Sequence, residues 1–171
     1  MFHSPIAVPH APPVSLPARQ WIDRRFALVS AVLLTATVAL RLGQFGDPLA
    51  GLDEQFYLLV GERMWSGELP YVDIWDRKPP GLFYLYAAIR ALPGDGILAY
   101  QIVATSCLAL TGVVVARITA RTLPLHAALA SGLVIIVYGT LLGAGFGEAP
   151  IFHDLLTAIA GADAVVWRRI R

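Results

Sequence analysis

Three places in the chain carry residues whose types and spacing could do chemistry. The first is Asp53-Glu54, two adjacent acids placed directly after an apolar run. Such a pair can take a proton from a hydroxyl as a general base or help hold a divalent metal. It can equally start a helix, with Asp53 as its cap and both acids favouring the positive end of the dipole. The second is the stretch GELPYVDIWDRKPPG, which ends at Gly81. It combines the acids Asp73 and Asp76, the amphipathic rings of Tyr71 and Trp75, and the cations Arg77 and Lys78 locked by Pro79 and Pro80. Paired cations at the depth of lipid headgroups are placed for a lipid phosphate; the bland alternative is that they snorkel to water. The third is GFGEAPIFHD, with Glu148, His153 and Asp154, of which Asp154 could also cap a helix.

These groups need elements to position them, and the composition says what kind. Hydrophobic residues make up 57% of the 171 residues and charged residues only 15%, against roughly 45–50% and about 25% in soluble domains. The mean hydropathy is +0.64. There is too little polar surface here to face water, and lipid is the solvent that suits the chain. A net charge of +1 without a basic run gives no nucleic acid a footing. Cys107 is the one cysteine, so neither an intrachain disulfide nor a cysteine-rich metal site can form.

Apolar segments run from Phe26 to Leu42, Ile97 to Arg117, Leu125 to Gly143 and Ile151 to Trp167. Each is close to the ~20 residues that cross a bilayer as a helix. The expected fold is therefore an all-α polytopic membrane bundle of four transmembrane helices. The last segment is the weakest, because His153, Asp154 and Asp163 lie within it. Residues 1–21 are proline-rich and are read as a disordered cytoplasmic N-terminus, with the first helix a retained signal anchor. Residues 22–171 form the membrane domain.

Basic clusters set the orientation. Arg19, Arg24 and Arg25 precede the first segment, Arg117 and Arg121 follow the second, and Arg168, Arg169 and Arg171 follow the fourth. Four crossings put all of them on the cytoplasmic side, and the long loop 43–96 then faces outward together with Glu148. Within that loop GLFYLYAAIRAL, Gly81 to Leu92, is too short to cross and reads as an interfacial helix. GLDEQFYLLVGERMW reads as another, with Phe56, Leu59, Val60 and Met64 on one face.

The order Asp-Glu followed by G-E-L-P-Y-x-D-x-W-D-x-K-P-P-G resembles the first outward loop of membrane glycosyltransferases of the GT-C superfamily. The nearest type is the protein O-mannosyltransferase group, with the Rgt-type transferases and the lipid A aminoarabinose transferases. The resemblance implies transfer of a sugar from a polyprenyl-phosphate donor, with inversion, to a glycolipid or protein acceptor of the cell envelope. The setting it implies is the outer face of a bacterial cytoplasmic membrane, as in lipopolysaccharide biosynthesis. It assigns the acceptor or a divalent metal to Asp53, with Glu54 beside it, and the carrier phosphate to Lys78 with Arg77. Glu148 falls in the family's second outward loop and is expected as a third catalytic acid, with Asp73, Asp76, His153 and Asp154 as additional members. Members of the family carry more crossing helices, so the chain is expected to correspond to the N-terminal portion, as a fragment, a truncated gene or a small homologue.

Two other readings stay open at this level. A non-catalytic membrane protein could bind anionic lipid or a partner enzyme through Arg77 and Lys78 and be indifferent to Asp53. A small transporter would need facing polar residues at mid-membrane, for which Asp154 and Asp163 are the material.

Overall fold

The computed structural model describes residues 19–141 and 149–167, and every regular element among them is helical. The order is α1 (Arg19–Arg41), α2 (Leu52–Trp65), α3 (Pro80–Arg90), α4 (Gly96–Thr119), α5 (Leu125–Leu141) and α6 (Ala149–Trp167), with 3-10 turns at Leu42–Gln44 and Pro48–Ala50. Of residues 1–21, expected as a disordered N-terminus, 19–21 are the first turn of α1 and 1–18 lie outside the described residues. So do 142–148, which include Glu148, and the terminal arginines 168–171.

Local chemistry sets the helix ends. Pro80 opens α3 at a position whose N–H has no helical partner to lose. Asp95 caps α4, its carboxylate accepting the Ile97 N–H at 2.8 Å. Arg41, Arg63, Arg90 and Arg117 stand in the last turns of α1 to α4, where the helix dipole favours a cation.

Helix α4 is the centre of the bundle and packs against α1, α5 and α6, while α1 also packs on α5. The α4/α5 contact is made through glycines. A Cβ on Gly112 would come within 3.2 Å of the Gly132 carbonyl oxygen, and one on Gly132 within 2.9 Å of the Gly112 oxygen. Small residues let helix backbones approach in this way where water does not drive association. Helices α2 and α3 pack side by side, with Tyr57 meeting Phe83 and Gly61 meeting the main chain at Tyr86 and Ala87, and their shared core of Tyr57, Val60, Leu82, Phe83, Tyr86 and Ile89 continues onto Tyr100 of α4. The α2 face expected from patterning is shifted. Leu59 is exposed, whereas Tyr57, Leu58, Val60 and Gly61 are buried, because the glycine admits α3 closely on the tyrosine side.

Contacts also fix which helix ends lie together. The Arg117 guanidinium stands 4.7 Å over the Phe26 ring, and Arg121 donates to the Ala162 carbonyl at 3.0 Å. The start of α1 and the ends of α4 and α6 therefore share one arginine-bearing end. At the other end Gln101 of α4 binds the chain leaving α1, and Phe152 of α6 meets Tyr86 edge-on at 6.3 Å. The α2–α3 pair sits there.

Two helices, α1 with its extension to Gln44 and α4, are long and apolar enough to cross a membrane; α5 and the stretch Ala149–Ala162 are apolar but shorter.

Candidate functional site

One tyrosine joins the acid of the first motif to the lysine of the second. Tyr57 lies one helical turn after Asp53, so the two side chains share a face of α2. Its hydroxyl points to Asp53 Oδ2 at 3.5 Å, at the long end for a hydrogen bond. Its ring is held edge-on by Phe83 at 6.2 Å and Tyr86 at 5.4 Å. The Lys78 ammonium stands 5.8 Å from the centre of the same ring, within the ~6 Å over which a ring face attracts a cation. Residues that are 25 positions apart in sequence thus stand one side chain apart in space.

Lys78 is carried on a loop tied to itself. The Tyr71 hydroxyl donates to the Lys78 carbonyl, the Tyr71 N–H donates to the Ile74 carbonyl at 2.7 Å, and the Tyr71 ring meets Phe83 edge-on at 5.8 Å. To make these contacts Tyr71 adopts a φ of +70°, a left-handed conformation that costs a residue with a Cβ about 1–2 kcal/mol. Desolvation first, and the Asp76 carboxylate second, push the Tyr71 phenol above its ordinary pKa, which keeps it a neutral donor.

Asp73 and Asp76 have structural work in the same loop. Asp76 Oδ1 accepts the Lys78 N–H at 2.8 Å, and Asp73 Oδ2 accepts the Leu69 N–H at 2.8 Å. The first is an Asx contact and the second ties the chain back across four residues, so both fold it locally. Arg77 is exposed, with no ion pair among the described residues, while Lys78 beside it is half-buried.

Glu54 differs sharply from Asp53. Asp53 is exposed, but Glu54 is only 1% exposed, and its carboxylate folds back over Gly51, where a Cβ would be 2.1 Å from Oε2. His153 and Asp154 are not brought to this site. They lie on the exposed side of α6, 3.8 Å from each other, with the Thr157 hydroxyl 3.3 Å from His153 Nδ1. Among the described residues no three His, Cys, Asp or Glu side chains cluster as a metal site.

The sequence reading missed Tyr57 and a buried polar layer beneath the site. Arg41 is 2% exposed and Gln101 is 2% exposed. Arg41 reaches Thr105 Oγ1 and Gln44 Oε1, each at 3.4 Å. Gln101 accepts the Gly46 N–H at 2.7 Å and donates to the Asp47 carbonyl at 3.1 Å. The available signal was a glutamine inside an otherwise apolar helix, a costly residue to bury without a task.

Fold and site together define an all-helical protein with an acid, a tyrosine and a lysine converging on a helix pair at one end of its bundle. No family model matches the chain, and no curated protein or solved structure matches it.

Proposed function

We propose that the chain is a membrane-embedded glycosyltransferase of the GT-C type. It moves a sugar from a polyprenyl-phosphate donor to a glycolipid or protein acceptor on the outer face of a bacterial cytoplasmic membrane. The observation that carries this reading is the convergence of Asp53 and Lys78 on Tyr57, a carboxylate and a cation one aromatic ring apart at the end of an apolar bundle.

The membrane setting is supported by what the helices leave uncovered. Only 28% of the apolar window of α1 and 44% of that of α4 is buried, and Leu28, Val32, Val134, Val137, Leu156 and Ile159 point outward. In water this surface would be an aggregation site; in hydrocarbon it is a solvated one. We read α1, α4, α5 and α6 as four crossings. Their shared arginine-bearing end is then cytoplasmic, and the α2–α3 pair is interfacial on the outer side.

In the reaction the Asp53 carboxylate takes the proton from an acceptor hydroxyl as its oxygen attacks the anomeric carbon. The bond from that carbon to the carrier phosphate oxygen breaks on the opposite face, which inverts the configuration. The bond electrons leave with the phosphate, whose growing charge the Lys78 ammonium stabilises, and Arg77 adds to the positive potential felt by the incoming lipid phosphate. The acids would serve this chemistry directly or with a divalent metal.

The test is sugar transfer in proteoliposomes supplied with radiolabelled polyprenyl-phosphate sugars and a glycolipid acceptor. Transfer that falls in both Asp53→Asn and Lys78→Ala supports the reading. Transfer unchanged in both, or absent in the wild type with every donor, overturns it. Lipid binding that depends on Arg77 and Lys78 but ignores Asp53 would identify the non-catalytic alternative.

A further inference from the structure

Beneath the site three charged or polar side chains are buried in one layer. Arg41 closes α1, Glu54 opens α2, and Gln101 lies one turn into α4; each is at most 2% exposed. Burying an ion is costly unless other groups answer its charge and its hydrogen-bonding capacity. The answer here is mutual. Glu54 is the leading counter-charge acting on Arg41, whose guanidinium also reaches Thr105 of α4 and Gln44. The Gln101 amide grips both a donor and an acceptor, Gly46 N–H and Asp47 C=O, of the chain between α1 and α2. Gly51, just before α2, is where the Glu54 carboxylate lies back against the main chain, so close that a Cβ there could be accommodated only by moving the carboxylate.

The consequence concerns Asp53. Among the described residues its side chain has one partner, the long contact with Tyr57, and its place is set by where α2 begins. That start is fixed from below, by α1 through Arg41 and by α4 through Gln101. Glu54 points inward to this layer while its neighbour Asp53 points out.

The geometry points to Arg41, Glu54 and Gln101 as a buried latch that positions Asp53 against Tyr57 and Lys78, with Glu54 a positioning residue and Asp53 alone the acid that meets the acceptor. This rests on the glycosyl-transfer reading of the site, but the latch itself can be tested without it.

Arg41→Gln and Glu54→Gln each remove one of the two opposite buried charges and leave the other. The double variant removes both charges and keeps side chains able to hydrogen-bond. Each single variant is expected to increase hydrogen exchange across residues 44–54, and the double variant to return it towards the wild type, a coupling that contacting residues show and distant ones do not. Transfer should follow the same pattern. A displacement of ~1 Å at a reacting group costs about a hundredfold, so each single variant loses at least about tenfold in kcat with little change in donor KM, and the double variant recovers most of it. Gln101→Leu should increase exchange at Gly46 and Asp47 without recovery by either change.

Two results overturn the latch. One is a double variant that exchanges no more slowly than the worse single variant. The other is loss of transfer in Glu54→Gln, with exchange unchanged and no recovery in the double variant, which would make Glu54 a reacting acid. If the wild type transfers no sugar, the functional reading fails while the exchange cycle still decides the latch.

Discussion

Gly61 is the position at which the smallest substitution should do the most to the site. A Cβ placed there would lie 2.7 Å from the Ala87 nitrogen, 2.8 Å from the Tyr86 carbonyl carbon and 2.9 Å from the Tyr86 oxygen. All three are main-chain atoms, so no side-chain rotation relieves the contact. Non-bonded carbons are comfortable at about 3.5–4.0 Å, and α2 and α3 would have to part by roughly 1 Å. Overpacking of this kind costs about 1–3 kcal/mol. The intrinsic preference runs the other way, since alanine is better than glycine inside a helix by about 1 kcal/mol. The sign of Gly61→Ala therefore decides which effect wins. Gly161, in α6, is the control, because a Cβ there would meet nothing within 4 Å. Thermal unfolding in detergent, followed by tryptophan fluorescence, should show Gly61→Ala melting up to about 8 °C below the wild type, the net of about 0–2 kcal/mol, and Gly161→Ala at or slightly above it. Tyr57, one turn before Gly61, should move off Phe83 and Lys78, and transfer should fall with stability. A Gly61→Ala protein as stable as Gly161→Ala would refute the close packing of the pair and the site geometry built on it.

Other perturbations follow from the same contacts. Two unit charges 4 Å apart at an effective dielectric of 20 attract by about 4 kcal/mol, so Lys78→Ala should lower transfer about 10²–10³-fold. Lys78→Arg, which keeps the charge but not its compact shape, should retain more, and comparing the two by initial rates separates charge from packing. Gly132→Val would drive a Cβ within 2.7 Å of Leu33 Cδ1 and 2.9 Å of the Gly112 oxygen; detergent melting should drop by several degrees, roughly the effect of 1–3 kcal/mol of overpacking. Tyr71→Phe removes the hydrogen bond to the Lys78 carbonyl. Because the Tyr71 pKa is raised in the folded protein, its contribution is fully present below the ordinary tyrosine value of 10.0 and is lost as pH rises through the folded value. The melting difference between wild type and Tyr71→Phe should therefore be constant at neutral pH and shrink in strong alkali.

The helices were legible because long apolar runs and the prolines at the start of α3 are local signals. The face of α2 was not. Patterning weighs Leu59 above Tyr57 and gives Gly61 no weight, yet the glycine lets α3 approach and turns the tyrosine inward. Asp53 and Lys78 could be singled out by type and spacing, but the ring between them is a tertiary fact. Arg41 was the hardest to read. An arginine ending an apolar helix looks like a side chain reaching for water, and only the positions of Gln44, Glu54 and Thr105 reveal it turned into the protein. Asp73 and Asp76 show the converse, since acids near a cation pair looked chemical while their nearest partners are backbone N–H groups.

The central claim is that Asp53 and Lys78 meet across Tyr57 on the outer side of the membrane. It is tested most directly by replacing both with cysteine, with Cys107 changed to serine, and adding a short membrane-impermeant bis-methanethiosulfonate cross-linker, which reacts with two thiols, to sealed right-side-out vesicles. The account expects an intramolecular 53–78 cross-link without permeabilisation. A cross-link that forms only after the membrane is opened, or labelling of the two positions from opposite sides, would contradict it.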